Sequence, residues 1–233
     1  MSGSSSDGFV VRVAVVGTGT GVGKTYVSCA LARALASQGV SCRALKPIES
    51  GLGAQGVPAD AVALAEAAGH AVVRPLHAFE RPVSPHLEAR RLGVKVKCDA
   101  VAAWVQDHGG DVTLVETAGG VLSPLGVDVT NLDLLAWLEV DRVVVVAPDR
   151  LGVLHDVAAV RWVLDATGWW RSASVVLSCG AASDASTGTN AAELGRLGLA
   201  ENVVVVGRDG AFARDELAAV APGFVGLVGG SGC

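Results

Sequence analysis

No uninterrupted apolar run in the sequence approaches the ~20 residues that a bilayer-spanning helix needs. Charge is sparse as well. Only 18% of the 233 residues are charged, the net charge is −5, and no basic cluster stands out. That balance argues against nucleic acid as the main partner. The five cysteines, Cys29, Cys42, Cys98, Cys179 and Cys233, are odd in number, scattered and never spaced C-x-x-C. A disulfide framework and a zinc site are both disfavoured, and core thiols in a reducing cytoplasm are expected. The five histidines, His70, His77, His86, His108 and His155, keep no metal-ligand spacing, and no G-x-S-x-G elbow is present. The five tryptophans are dispersed, as packing residues are. No internal repeat and no interdomain linker is visible. The opening Met1-Ser2-Gly3-Ser4-Ser5-Ser6-Asp7-Gly8 is polar and acidic, which does not fit a secretory signal and predicts disorder.

What is abundant is apolar: 51% of the residues are hydrophobic, many of them in short valine runs such as Val143–Val146 and Val203–Val206. Such runs suit central parallel strands buried on both faces. The pattern predicts strands at Phe9–Val16, Ser41–Lys46, Asp111–Glu116, Arg142–Ala147, Ser174–Leu177 and Asn202–Val206. It predicts helices at Lys24–Ser37, Pro58–Ala68, Ala100–Asp107, Leu132–Leu138, Gly152–Ala166, Ala191–Arg196 and Arg214–Val220. Alternation of this kind means an α/β fold, doubly wound, with a mostly parallel sheet and helices on both faces. Residues 9–225 read as one such domain, after a disordered stretch, 1–8, and before a Gly-rich tail, 226–233.

Between the first strand and the first helix lies Gly17-Thr18-Gly19-Thr20-Gly21-Val22-Gly23-Lys24-Thr25. Strand, glycine-rich loop and helix in that order form the context of a phosphate-binding P-loop. Glycines let successive N–H groups turn inward around phosphate oxygens, and the helix N-terminus adds positive potential there. Lys24 is placed to reach the terminal phosphates and the Thr25 hydroxyl to ligate Mg²⁺, so a nucleoside triphosphate is the expected ligand. The register is unusual. The pattern G-x-x-x-x-G-K-S/T wants its first Gly where this chain has Thr18, and Gly17 stands one residue early.

In open α/β sheets ligands sit outside the carboxyl ends of the strands. Three further strand ends matter: Lys46-Pro47-Ile48-Glu49-Ser50-Gly51, Glu116-Thr117-Ala118-Gly119-Gly120, and Ala147-Pro148-Asp149. Glu116 can hold Mg²⁺ opposite Thr25. Lys46 can stabilise charge on a transferring phosphoryl group, and Ser50 can hydrogen-bond a substrate. Asp60, on its own, reads as a first-turn acid favoured by the helix dipole.

Together these residues resemble the dethiobiotin synthetase family. The resemblance rests on G-T-G-T-G-V-G-K-T (17–25), K-P-I-E-S-G (46–51), D-A-V-A-L from Asp60, A-F-E-R-P-V-S-P-H (78–86), E-T-A-G-G (116–120), Ser123-Pro124-Leu125 and Leu151-Gly152. The family shares the early first glycine. The resemblance implies a homodimeric, Mg²⁺-dependent enzyme acting on 7,8-diaminononanoate, CO₂ and ATP or another NTP. One amine captures CO₂ as a carbamate, the γ-phosphate activates it, and the second amine closes a cyclic urea. By resemblance Lys24, Lys46 and Ser50 are catalytic, and Thr25, Asp60 and Glu116 hold the metal. Gly19, Thr20, Gly21, Val22, Gly23, Lys24, Thr25 and Tyr26 line the nucleotide, with Asp60, Glu116, Thr117, Ala118 and Gly119. Ser178 and Cys179 align with the pair that reads the base. Lys46, Ser50, Gly120, Leu151, Gly152 and His155 contact the substrate, the last three receiving its carboxylate across the dimer interface.

Three positions depart from the family pattern. Thr117 stands where a glycine is common, and its Cβ is expected to narrow the room beside the phosphates. His155 stands where an Asn is usual. Ser178-Cys179 replaces an Asn-Asp pair, so preference for ATP over other triphosphates is not assured. Two other readings stay open: a partitioning or regulatory P-loop ATPase, disfavoured by Gly19 where its signature lysine would stand, and a synthetase homologue with a changed substrate. A cobyrinate- or CTP-synthase-like amidoligase would need a glutaminase domain, for which 233 residues leave no room.

Overall fold

The computed structural model describes residues 10–179, 183–207, 210–212 and 214–220. The expectations for 1–8, Phe9, 226–233 and Cys233 lie outside them. The strands are β1 (Val11–Gly17), β2 (Arg43–Leu45), β3 (Ile48–Ser50), β4 (His77–Phe79), β5 (Val112–Gly120), β6 (Arg142–Pro148), β7 (Ala173–Ser178) and β8 (Val203–Val206). The helices are α1 (Lys24–Ser37), α2 (Ala59–Ala68), α3 (Pro85–Leu92), α4 (Cys98–His108), α5 (Asn131–Leu138), α6 (Val153–Ala166), α7 (Asn190–Arg196) and α8 (Arg214–Val220).

Six strands form one sheet in the order β2-β5-β1-β6-β7-β8. Every pairing in it is parallel. The valine runs explain why both faces are covered. In β1, Ala14 and Val16 join the core under α4, α5 and α6. Val13 and Val15 point the other way, into the core under α1, α2 and α8. In β6, Val143 and Val145 take the first face and Val144 and Val146 the second. Alternation along a strand thus feeds two apolar layers at once. β1 lies between β5 and β6, so the P-loop, the end of β5 and the end of β6 open at the same edge of the sheet.

All six predicted strands and seven predicted helices are present; α1 and α8 keep their predicted bounds and the others have shifted ends. Three elements lie beyond the sequence reading. β3 and β4 pair in parallel as a separate small sheet, Ile48 opposite His77 and Ser50 opposite Phe79. Strands of three residues are too short to show a period. Helix α3 carries one buried charge, Glu88, clasped by Arg91 at 2.6 and 3.0 Å, with Arg81 at 3.6 Å. Its few apolar residues hide the helical repeat.

The four described cysteines are free thiols, three of them buried. Burial lifts the thiols of Cys29, Cys42 and Cys98 to about 11, so they stay protonated as core residues. Among the described residues no helix is long and apolar enough to cross a membrane.

Candidate active site

A cavity of about 640 Å³ opens at the carboxyl ends of β1 and β5. Thr20, Gly21, Gly23, Lys24, Thr25 and Tyr26 line one wall, Lys46, Ser50 and Asp60 another, and Glu116, Ala118, Gly119 and Ser123 a third. Segments distant in sequence therefore converge as the motif spacing predicts. Gly23, at φ 91°, precedes α1 in the left-handed region, where only glycine is unstrained, and no side chain caps that helix. The first-turn N–H groups of α1 face the place where an anion would sit.

The charged groups form one cluster, in which Lys24, Lys46 and Glu116 are buried and Asp60 is half-buried. The Lys24 ammonium donates to the Gly19 carbonyl at 3.0 Å. Lys46, 5% exposed, donates to Glu116, itself 1% exposed, and lies 3.0 Å from Asp60. The Thr25 hydroxyl donates to Glu116 Oε1 at 2.8 Å. Burial, with repulsion from Lys46, pulls Lys24 down from 10.5 to about 8. Burial acts on Lys46 in the same direction, but Glu116 and Asp60 outweigh it and hold Lys46 above its ordinary value. The two lysines are thus unequal: Glu116 and Asp60 outweigh burial at Lys46, whereas burial outweighs them at Lys24.

The donor set suits a hard cation. Glu116 Oε2 is buried without a hydrogen-bond partner. Beside it stand the Thr25 hydroxyl and the Asp60 carboxylate, all oxygen, the chemistry Mg²⁺ selects over softer metals. Among the described residues no three His, Cys, Asp or Glu gather into a metal site of their own, so a cation here would need oxygens from the nucleotide.

A residue the sequence reading missed holds Asp60 in place. Glu49, on β3 and 3% exposed, accepts the N–H groups of Asp60 at 2.9 Å and Ala61 at 3.1 Å. Pro58 offers α2 no side-chain cap. A carboxylate from another element therefore does the capping, although burial raises the Glu49 carboxyl. It also ties α2 to the strand that carries Ser50. A second missed residue is Asn131, whose amide donates to the carbonyls of Ala118 and Gly120, both at 2.7 Å. With Ser123 accepting the Gly120 N–H at 2.8 Å, it freezes the glycine-rich turn. The T-N-L-D capping box at Thr130 and Asp133 was the available sequence signal for that helix start.

Thr117 does not narrow the cavity, contrary to expectation. The β1–β5 register pairs Val15 with Glu116 but Gly17 with Gly120, so residues 117–119 bulge opposite Val16. Alternation along β5 sends Thr117 to the side opposite Glu116, where its hydroxyl donates to the Val15 carbonyl at 3.2 Å. Thr117→Val keeps the shape and removes this bond. A loss of about 1 kcal/mol is expected, which lowers the melting midpoint by roughly 2–4 °C. Thermal melts check the shift, and turnover within twofold of the parent checks that the cavity is untouched.

The substrate-side residues divide. A second cavity of about 430 Å³ shares Ser123 with the first and is walled by Gly19 and Gly120 and by His155, Ala159 and Val163 of α6. His155 and Gly120 line it, whereas Leu151 and Gly152 do not. Leu151 is 76% exposed, and its N–H already donates to Asp184 at 2.8 Å. Ser178 lies behind the P-loop rather than in either cavity.

A strand–P-loop–helix at the centre of a parallel sheet, with a buried carboxylate at the end of the neighbouring strand, defines a P-loop α/β nucleotide-binding enzyme. The family model described as an AAA domain matches residues 11–209. The chain is 40% identical over 192 residues to an ATP-dependent dethiobiotin synthetase of Anaeromyxobacter dehalogenans strain 2CP-C, covering 78% of this chain and 83% of that one. It is 37% identical over 166 residues to the one of Rhodococcus jostii strain RHA1, covering 70% and 71%. The chain belongs to the family of ATP-dependent dethiobiotin synthetases. A solved ParA family ATPase from Chlorobium tepidum TLS aligns over 94% of this chain and 98% of its own at 12% identity and a TM-score of 0.49. That likeness lends nothing to the partitioning alternative.

Proposed function

We propose that this chain converts 7,8-diaminononanoate and CO₂ to dethiobiotin at the 640 Å³ cavity, using ATP. The observation that carries the reading is the convergence of Lys24, Thr25, Lys46, Asp60 and Glu116 on one cavity in a member of this family. A carbamate is a poor acyl donor, because its oxide is a poor leaving group. Phosphorylation makes it a good one. An amine nitrogen of the substrate adds to CO₂ and loses a proton. The carbamate oxygen then attacks the γ-phosphorus and ADP leaves. The second amine attacks the carbonyl carbon and loses a proton, the C–O bond to phosphate breaks, and inorganic phosphate departs with the cyclic urea left behind.

The protein positions these groups and neutralises charge. Lys24 holds the β- and γ-phosphates, and Lys46 faces the transferring group from the opposite wall. The Ser50 hydroxyl, buried without a partner, is available to the carbamate. Thr25, Asp60 and Glu116 would hold Mg²⁺, which screens the triphosphate when bound. Tyr26 fixes the base-side wall by donating to the Gly207 carbonyl. The apolar side of the second cavity suits the aliphatic chain of the substrate. Leu122 on that cavity's wall, with Leu151 and Trp162 elsewhere on the surface, is exposed apolar area (56%, 76% and 82%) that a second protomer of a homodimer would cover. Free thiols and net charge −5 fit a cytoplasmic enzyme of small molecules rather than one acting on nucleic acid or membrane.

Purified protein given diamine, bicarbonate, Mg²⁺ and ATP is expected to release phosphate only when the diamine is present, with a ureido product by mass spectrometry. Steady hydrolysis without diamine and no ureido product would overturn the assignment.

A further inference from the structure

We propose that Ser178 is a positioning residue for the triphosphate loop, and that it sets affinity for the phosphate chain rather than reading the base. Ser178 ends β7 and is 4% exposed. Its hydroxyl donates to the Val22 carbonyl at 2.7 Å, with the Ala147 carbonyl more distant at 3.5 Å. A trans peptide is planar, with its C=O and N–H on opposite sides. Fixing the Val22 carbonyl toward β7 therefore turns the N–H of Gly23 to the other side, toward the cavity that Gly23 lines.

The contact is tight in both directions. A Cβ on Gly23 would lie 2.8 Å from Ser178 Oγ and 3.0 Å from its Cβ. Gly23 and a small hydroxyl residue at 178 therefore fit as a pair. The strand cannot drift away, because the Ser178 carbonyl accepts the Asp149 N–H at 2.9 Å and β7 is paired on both sides. One hydroxyl proton is available, and the Val22 carbonyl takes it, so none is left to donate to a base.

This assignment rests on the loop being the triphosphate site, and the experiment separates the two. Binding of ATP, CTP and inorganic tripolyphosphate to the full chain with Mg²⁺ is measured calorimetrically for the parent, Ser178→Ala, Ser178→Cys and Lys24→Ala. Ser178→Ala is expected to weaken all three by the same factor, about fivefold for one hydrogen bond. KM for ATP rises by that factor while kcat at saturating ATP holds, and Ser178→Cys recovers part of the loss. A loss confined to ATP would make Ser178 a base reader and overturn the proposal, as would no loss for any of the three. If Lys24→Ala leaves tripolyphosphate binding unchanged, the reading of the loop itself fails instead.

Discussion

Lys46→Ala is expected to lower turnover roughly a hundred- to a thousandfold, the usual consequence of removing a preorganised charge aimed at a reacting group. It is also expected to destabilise the fold. Lys46 is the counterion of Glu116, which is 1% exposed, and lies 3.0 Å from Asp60. Removing the ammonium strands a buried carboxylate, a change that costs about 3–5 kcal/mol when no new partner arrives. The two effects can be separated. Adding Glu116→Gln to Lys46→Ala removes the stranded charge, so the melting midpoint should recover while turnover does not. A folded Lys46→Ala protein with near-parent turnover would take Lys46 out of the chemistry.

The P-loop was legible in the sequence because its information is local. Strand, glycines, Lys24 and Thr25 are contiguous, and glycine's freedom at Gly23 depends only on its own φ. The parallel sheet was legible for a related reason: doubly buried strands must be apolar on both faces, and the valine runs advertise it. What stayed hidden depends on partners far along the chain. Ser178 meets Val22 across 156 residues, and an alignment of motifs could only assign it the base. Glu49 sits inside the K-P-I-E-S-G motif, but nothing in that motif says its carboxylate will cap a helix beginning ten residues later. Thr117 was read with the right residue and the wrong direction: it alternates away from Glu116 along β5, where a bulge against β1 begins. Such a bulge is set by register with β1, a property of two strands together. Identity of the reacting groups is local, and their orientation is not.

Lys24→Met is expected to abolish activity and yet raise the stability of the ligand-free protein. The ordinary lysine value is 10.5 and the folded value is about 8, with burial the first cause and Lys46 the second. A depressed lysine opposes folding wherever the unfolded chain holds the proton more tightly. Below pH 8 both states are protonated and the full penalty applies. Between about 8 and 10.5 the folded protein releases the proton and the penalty fades. The displacement corresponds to about 3 kcal/mol, part of which the methionine keeps by losing the Gly19 hydrogen bond. A net gain of about 1–2 kcal/mol is therefore expected near neutral pH. The parent should grow more stable from pH 8 toward 10.5 relative to the variant, so the two melting curves converge as pH rises. A triphosphate reverses the order, because its charge is what the cationic site lacks. ATP should raise the midpoint of the parent strongly and that of Lys24→Met little. Thermal melts across pH, with and without ATP, check both halves. A variant less stable than the parent at neutral pH would show that the Lys24–Gly19 contact outweighs desolvation. Desolvation of the buried Lys24 ammonium would then not be the source of phosphate affinity. Lys46, with its carboxylates, behaves oppositely: its loss weakens the fold. Lys24 is held for the ligand alone, whereas Lys46 serves both the ligand and the framework, and opposite signs of stability change would distinguish them.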